Sequence, residues 1–207
     1  MLPRRYAYPL LALLTLALIG EMTVFYWREH QPKVNPYDPA IVSISRESGV
    51  DPFLVRALIW RESRFNPMTL GTAQEHGLMQ VTPMVGQEWA KAHKIANYKD
   101  DDLYDPDTNI RAGTWYLSHA LRRWSQTDDP VPFALADYNA GRTNAYRWVD
   151  PDNPHDHTAF MNRITFPSTR MYVEVILEQR ENYRHRLADN RWYREFAQAD
   201  SAMTLTP

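Results

Sequence analysis

The triplet Arg-Glu-Ser occurs twice, at residues 46–48 and 61–63, each time at the end of a short amphipathic stretch. A glutamate does acid–base chemistry when its surroundings hold the carboxyl protonated near neutral pH, within reach of a leaving group. The two triplets differ in that respect. Ahead of Glu47 the apolar positions are Ala40, Ile41 and Ile44, and Gly49 follows at once, so Glu47 reads as a solvated residue at a helix end. Glu62 instead extends the series Val55, Leu58 and Ile59, on the stripe that should face a core. Burial disfavours the carboxylate, and the negative end of the helix dipole acts in the same direction. Arg61 and Arg64 oppose that shift wherever they approach. On helix pattern alone, a general acid and a buried glutamate–arginine ion pair stand as equal readings.

The elements that must position these groups are well punctuated. Asp38-Pro39, Asp51-Pro52, Thr82-Pro83 and Asp129-Pro130 each place a capping side chain before a proline suited to the first helical position. Gly49 and Gly141 close helices, and Asn66-Pro67 stops the one that carries Glu62. The pattern predicts helices over 38–48, 51–63, 82–94, 108–124, 129–141, 144–149 and 168–187. Ser168 is expected to cap the last, which carries Tyr172, Val175, Ile176 and Tyr183 at helical spacing. The run DPDNPHDH at 150–157 reads as a polar loop. Strand alternation is weak, with one very short β element expected at Leu78–Val81. The fold class is therefore all-α, a stack of short helices.

Four motifs fall in order along this frame: WRESRFNP at 60–67, GLMQVTP at 77–83, ALADYNAG at 134–141 and TRMYV at 169–173. Together with GVDP at 49–52 they resemble, over Pro39 to Tyr183, the lytic transglycosylases of the soluble-transglycosylase type, which share a lysozyme-like fold with goose-type lysozyme. The resemblance implies cleavage of the β-1,4 bond between N-acetylmuramic acid and N-acetylglucosamine in peptidoglycan, leaving a 1,6-anhydromuramic end. Glu62 would be the catalytic residue. Glycoside hydrolases generally use two carboxylates, whereas a transglycosylase can use one, as acid and then as base toward the muramic 6-hydroxyl. The resemblance also implies a substrate-binding set of Ser63, Gly77, Leu78, Met79, Gln80, Tyr138, Asn139 and Tyr172. In that set Met79 would give an adaptable apolar groove surface and Gln80 a two-way hydrogen-bonding amide. Tyr138 and Asn139 would face Glu62. The plain alternative makes Tyr138 a core aromatic and Gly141 a helix cap.

The chain departs from the family pattern in three places. Gly71 stands where many relatives have serine, six residues before the GLMQ glycine. Gln74-Glu75 replaces a frequent Gly-Ala pair, and Ser168 replaces a glutamate ahead of Thr-Arg. Glu75 reads first as the partner of Thr72 in a capping box, or as a structural hydrogen-bonding group. It reads second as a possible second acid, because goose-type lysozymes carry one in this loop and hydrolyse.

Composition bounds the rest. The 207 residues are 44% hydrophobic, carry a net charge of −2 and contain no cysteine. Bulk attraction to nucleic acid is excluded, and so are disulfides, thiolate metal sites and an acylated-cysteine anchor. No cofactor is called for. The His155-x-His157 pair has no third ligand at a credible spacing, so no metal is expected. Trp60, Trp89, Trp115, Trp124 and Trp148 read as core rather than sugar platforms, and Asn109, Ile110 and Gly113 as structural. At the N-terminus Arg4 and Arg5 precede an apolar run that, read from 9 to 27, matches the ~20 residues needed to span a bilayer. The expected organisation is a membrane anchor or signal at 1–27, a linker at 28–38, the catalytic domain at 39–189 and a peripheral tail at 190–207. The domain would lie in the cell envelope on the periplasmic side, or be released there if the segment is cleaved.

Overall fold

The computed structural model describes residues 15–23 and 34–194. The chain divides into two units, residues 1–34 and 35–207. In the first, residues 15–23 are helical and exposed. The expected span at 9–27 otherwise lies outside the described residues, among which no helix is long and apolar enough to cross a membrane.

The second unit is predominantly helical. Its described residues form α1 (Asp38–Ser48), α2 (Pro52–Ser63), α3 (Pro83–Ala92), a 3-10 turn (Asp100–Tyr104), α4 (Pro106–Arg123), α5 (Pro130–Ala140), α6 (Arg142–Trp148), α7 (His157–Arg163) and α8 (Pro167–Leu187). The caps follow the sequence logic. The side chains of Asp51, Thr82, Asp105 and Asp129 accept from Phe53, Val85, Thr108 and Val131 N–H groups, with proline in the first turn each time. α1 ends on Gly49 at φ 65°, the left-handed conformation that glycine adopts without strain.

Four expectations are corrected. Phe166, not Ser168, occupies the cap position of α8, with Pro167 opening the helix. The β element at Leu78–Val81 is a turn over 77–80, flanked by isolated bridges between Leu70 and His76 and between His76 and Val81. α7 begins inside the expected loop region: Asp156 caps it by accepting from Thr158 and Ala159. Asp38 is not a cap. Its carboxylate turns inward, where Oδ1 accepts from Arg56 Nε at 2.8 Å and from the Tyr193 hydroxyl at 2.9 Å.

That inward turn follows from the position of α2. Every residue from Pro52 to Ile59 is buried, so the apolar stripe read from sequence is one side of a helix enclosed all round. Enclosure includes Arg56, whose guanidinium must find a counter-charge and flat apolar partners. It has Asp38, and it lies over the Tyr183 ring at 4.1 Å and the Phe65 ring at 5.2 Å. Asp51, at the start of α2, accepts from Arg180 at 2.6 Å and Arg184 at 2.7 Å near the end of α8. The two helices therefore run antiparallel, with the end of α2 beside the beginning of α8. Tyr193 is fully buried and stacks on Phe53 at 5.0 Å, so packing continues past the expected boundary at residue 189.

Removing one partner of a buried ion pair strands the other charge, at a typical cost of about 3–5 kcal/mol. Asp38→Ala is predicted to lower unfolding stability in urea by an amount in that range. A loss within experimental error of zero would show that Arg56 is satisfied without it.

Candidate active site

Glu62 occupies the last turn of α2 and emerges on the wall of a cleft of about 420 Å³. The cleft is also lined by Gly71, Thr72, Glu75, Gln80, Tyr138 and Asn139. Its carboxylate Oε1 accepts a hydrogen bond of 2.5 Å from the hydroxyl of Tyr172, a buried residue on the second turn of α8. Burial pushes the Glu62 carboxyl from an ordinary 4.5 up to about 7. The Tyr172 hydrogen bond and the Arg61 charge work against that rise, and the charge of Glu75 adds to it. Arg61 lies over the Tyr172 ring at 5.3 Å, while Arg64 stacks on Trp60 at 3.6 Å. No ion pair between Glu62 and an arginine forms among the described residues, so the ion-pair reading of the α2 pattern does not hold.

The GLMQ turn divides by role. Gln80 lines the cleft, but Gly77, Leu78 and Met79 are buried beneath it and do not form its surface. The Met79 side chain lies against Gly113, where a Cβ would stand 2.6 Å from the sulfur. Ser63 is likewise buried: its hydroxyl donates to Leu78 O at 2.8 Å and so ties the residue after Glu62 to the turn. Asn109, read from sequence as merely structural, holds the whole turn. It accepts from Met79 N at 2.8 Å and donates to His76 O and Leu103 O at 2.8 and 2.7 Å. An amide that satisfies three buried backbone groups fixes a loop more firmly than apolar contact does. Gly77, at φ 74°, leaves space for Asn109, whose Nδ2 would stand 2.4 Å from any Cβ there.

Tyr138 lines the cleft together with Glu62, but its hydroxyl donates to Met79 O at 2.8 Å rather than to the carboxyl. Its ring meets Tyr116 edge-on at 5.5 Å, on the cleft wall. The tyrosine on the carboxyl is Tyr172 instead. Asn139 is exposed on the cleft, and its Oδ1 accepts from Thr169 of α8 at 2.8 Å. Asp137, between these helices' motifs, is buried and accepts from Arg123 and from Trp124 Nε1, locking α5 to α4. Trp89, Trp124 and Trp148 are buried, as read. Glu75 opens no helix, so the capping box with Thr72 does not form. Its carboxylate accepts from Ala73 N at 2.9 Å and stands on the cleft wall directly against Gly71.

Away from the cleft, ligand-type atoms of Asp128, Asp156 and His157 lie within 4.8 Å of one another, a grouping that residue spacing did not reveal. Their contacts are to the chain itself: Asp128 binds His157 through its backbone N–H and Nδ1, each at 2.9 Å, and Asp156 caps α7.

A carboxyl whose native pKa lies above its unfolded value contributes stability fully below the unfolded value and loses it as pH rises through the native one. For Glu62 that window runs from about 4.5 to about 7. Glu62→Gln removes the titration. Its urea-unfolding stability relative to wild type is predicted to rise across this window by up to about 3 kcal/mol. A flat difference would place Glu62 in solvent.

Comparison with known proteins accords with this geometry. A family model described as "Transglycosylase SLT domain" matches residues 39–160. The soluble lytic murein transglycosylase of Salmonella typhimurium is 28% identical over 169 residues, which cover 77% of this chain and 26% of that protein. The membrane-bound lytic murein transglycosylase C of Actinobacillus succinogenes is 30% identical over 138 residues, covering 64% of this chain and 38% of the relative. Among solved structures, the 70 kDa soluble lytic transglycosylase of Escherichia coli matches with a TM-score of 0.65 at 28% identity, over 76% of this chain and 25% of that one. The chain thus spans about a quarter of the length of its soluble relatives. With a family model matched across more than half its length, and a lysozyme-like helical fold around the half-buried Glu62, this chain belongs to the transglycosylase SLT domain family.

Proposed function

We propose that the chain is a peptidoglycan lytic transglycosylase in which Glu62 acts alone, first as acid and then as base. The observation that carries this reading is the Glu62 carboxyl on the wall of a cleft of about 420 Å³, hydrogen-bonded by Tyr172, where burial pushes its pKa up to about 7. In the reaction Glu62 donates its proton to the glycosidic oxygen between N-acetylmuramic acid and N-acetylglucosamine as the bond from C1 breaks. The acetamido oxygen of the muramic residue steadies the developing positive charge. The Glu62 carboxylate then takes the proton of the 6-hydroxyl as that oxygen bonds to C1, closing the 1,6-anhydro ring. The two steps together return Glu62 to its protonated starting state, and no second carboxylate, metal or cofactor is needed.

Tyr172 serves both halves. Its hydroxyl holds the carboxyl in one rotamer and stabilises the anion formed between the steps. Gln80, Tyr138 and Asn139 present an amide, a ring and a second amide to the glycan. Ser63, Gly77, Leu78 and Met79 act on substrate indirectly, by fixing Gln80. The names of relatives support the substrate class, as lytic murein transglycosylases of soluble and membrane-bound kinds. The catalytic domain then runs from Asp38 at least to Tyr193, and residues 1–27 are a membrane anchor or signal joined to it by the residues that follow. Placement in the cell envelope is supported by Arg4 and Arg5 ahead of the apolar run.

Digestion of purified sacculi followed by mass analysis of the soluble muropeptides tests this directly. Anhydromuramic ends are expected from wild type and none from Glu62→Gln. Reducing ends in their place would assign a hydrolytic muramidase, and no release by wild type a non-catalytic glycan-binding domain. Because the acid must be protonated, activity is predicted to fall as pH rises through about 7. Tyr172→Phe removes a hydrogen bond that favours the anion, so its alkaline limb should move to higher pH. A shift to lower pH would contradict the role given to Tyr172.

A further inference from the structure

Two departures from the family pattern, Gly71 and Glu75, meet at one place in the cleft. The segment between them is a closed turn: Gly71 N donates to Glu75 O at 2.7 Å and Gln74 N to Gly71 O at 3.3 Å. Ala73 N donates to Glu75 Oε2 and fixes the carboxylate over Gly71. A Cβ on residue 71 would stand 2.2 Å from that oxygen and 2.7 Å from Gln80 Oε1. Both distances are far inside van der Waals contact, so this carboxylate position requires glycine at 71. The Gln80 amide is oriented independently, since its Nε2 donates to Thr69 O at 3.1 Å and Gly77 O at 2.9 Å. That leaves Oε1 facing the same point. Gln80 is further set by a left-handed backbone at φ 48°, a conformation an L residue adopts when its surroundings compel it.

The outcome is a pair of acceptor oxygens, one anionic and one neutral, converging over a residue that has no side chain. Gly71, Glu75 and Gln80 all line the cleft that contains Glu62, and Glu75 lies near enough for its charge to bear on the Glu62 carboxyl. Acceptors brought together in this way match a ligand rich in donors. An N-acetylated glycan offers hydroxyls and amide N–H groups. A hydrogen bond to a charged acceptor is about twice as strong as one between neutral groups.

We propose that Glu75 is a substrate-binding, specificity-determining residue, whose carboxylate and the Gln80 carbonyl form a two-acceptor cradle over Gly71 for the hydroxyl and amide donors of a sugar in the cleft. Gly71 is its obligatory companion, and the pair replaces whatever contact a side chain at 71 would make. The proposal rests on the glycan-cleaving reading of the cleft.

The test measures binding of chitopentaose by calorimetry to the full chain carrying Glu62→Gln, which separates binding from turnover. Glu75→Gln keeps an oxygen for Ala73 N and therefore the turn, while removing the charge; about ten-fold weaker binding is expected, as for loss of one charge-assisted hydrogen bond. Gly71→Ala should weaken binding similarly, and should cost much less when Glu75→Ala has already cleared the carboxylate. Unchanged affinity in Glu75→Gln, or full additivity of Gly71→Ala and Glu75→Ala, would overturn the proposal. On sacculi, with Glu62 intact, Glu75→Gln should raise KM more than it lowers kcat. Unchanged KM with loss of reducing-end products would overturn it in favour of water activation by Glu75. If wild type releases no product from sacculi, the reaction assignment fails, and the binding measurement still decides the role of Glu75.

Discussion

The organisation of this domain follows from enclosing α2. A helix buried on every side from Pro52 to Ile59 contributes much apolar area, but it also carries three ionisable groups into or beside the core. Asp51, Arg56 and Glu62 sit at its start, middle and end. Each is answered by a group on or beyond α8: Arg180 and Arg184 for Asp51, Tyr183 and Tyr193 with Asp38 for Arg56, and Tyr172 for Glu62. These matches permit one register of the two antiparallel helices. Slipping α8 by a turn would take Arg180 and Arg184 from Asp51, the Tyr183 ring from Arg56 and the Tyr172 hydroxyl from Glu62. The polar contacts thus act less as a source of stability than as a constraint on alignment, which is the role best attested for buried charge.

A second layer of the same logic fixes the opposite wall of the cleft. The turn that carries Gln80 is held by Ser63 from α2 and Asn109 from α4, and Tyr138 of α5 donates to its Met79 carbonyl. Three helices therefore meet on one loop through hydrogen bonds from their side chains to its backbone. Met79 and Leu78 fill the volume behind it, where Gly113 lets the sulfur approach the α4 backbone. Sites built on rigid elements with this kind of support hold their groups in place without help from the ligand, which lowers the ordering cost of binding.

Much of this was legible because the signals were local. An Asp or Thr followed by proline marks a helix start through contacts within three residues, and these starts appear where the sequence places them. Glu62 stood out because a carboxylate on an apolar helix face is anomalous in any fold. What could not be read depended on distant partners. Asp38 looks like a cap, and is not one, because Arg56 and Tyr193 lie 18 and 155 residues away in the chain. The motif brought Met79 and Tyr138 to the site without saying which way they point. Met79 faces inward, and Tyr138 serves the turn while Tyr172 serves the acid. The short helix α7, seven residues long, had too few positions to show a period. Gly71 and Glu75, each merely unusual on its own, become intelligible together once a Cβ at 71 is seen to collide with the carboxylate.

The proposed chemistry depends on Glu62 being a neutral acid close to neutral pH. Direct titration of its side-chain carboxyl by NMR, using glutamate labelled at the carboxyl carbon and Glu62→Gln to assign the signal, tests this without reference to any substrate. The structure predicts a midpoint of about 7, with burial as the main cause. A midpoint near the ordinary 4.5 would mean a solvated carboxylate, unable to donate a proton near neutrality, and would contradict the assignment of Glu62 as the acid.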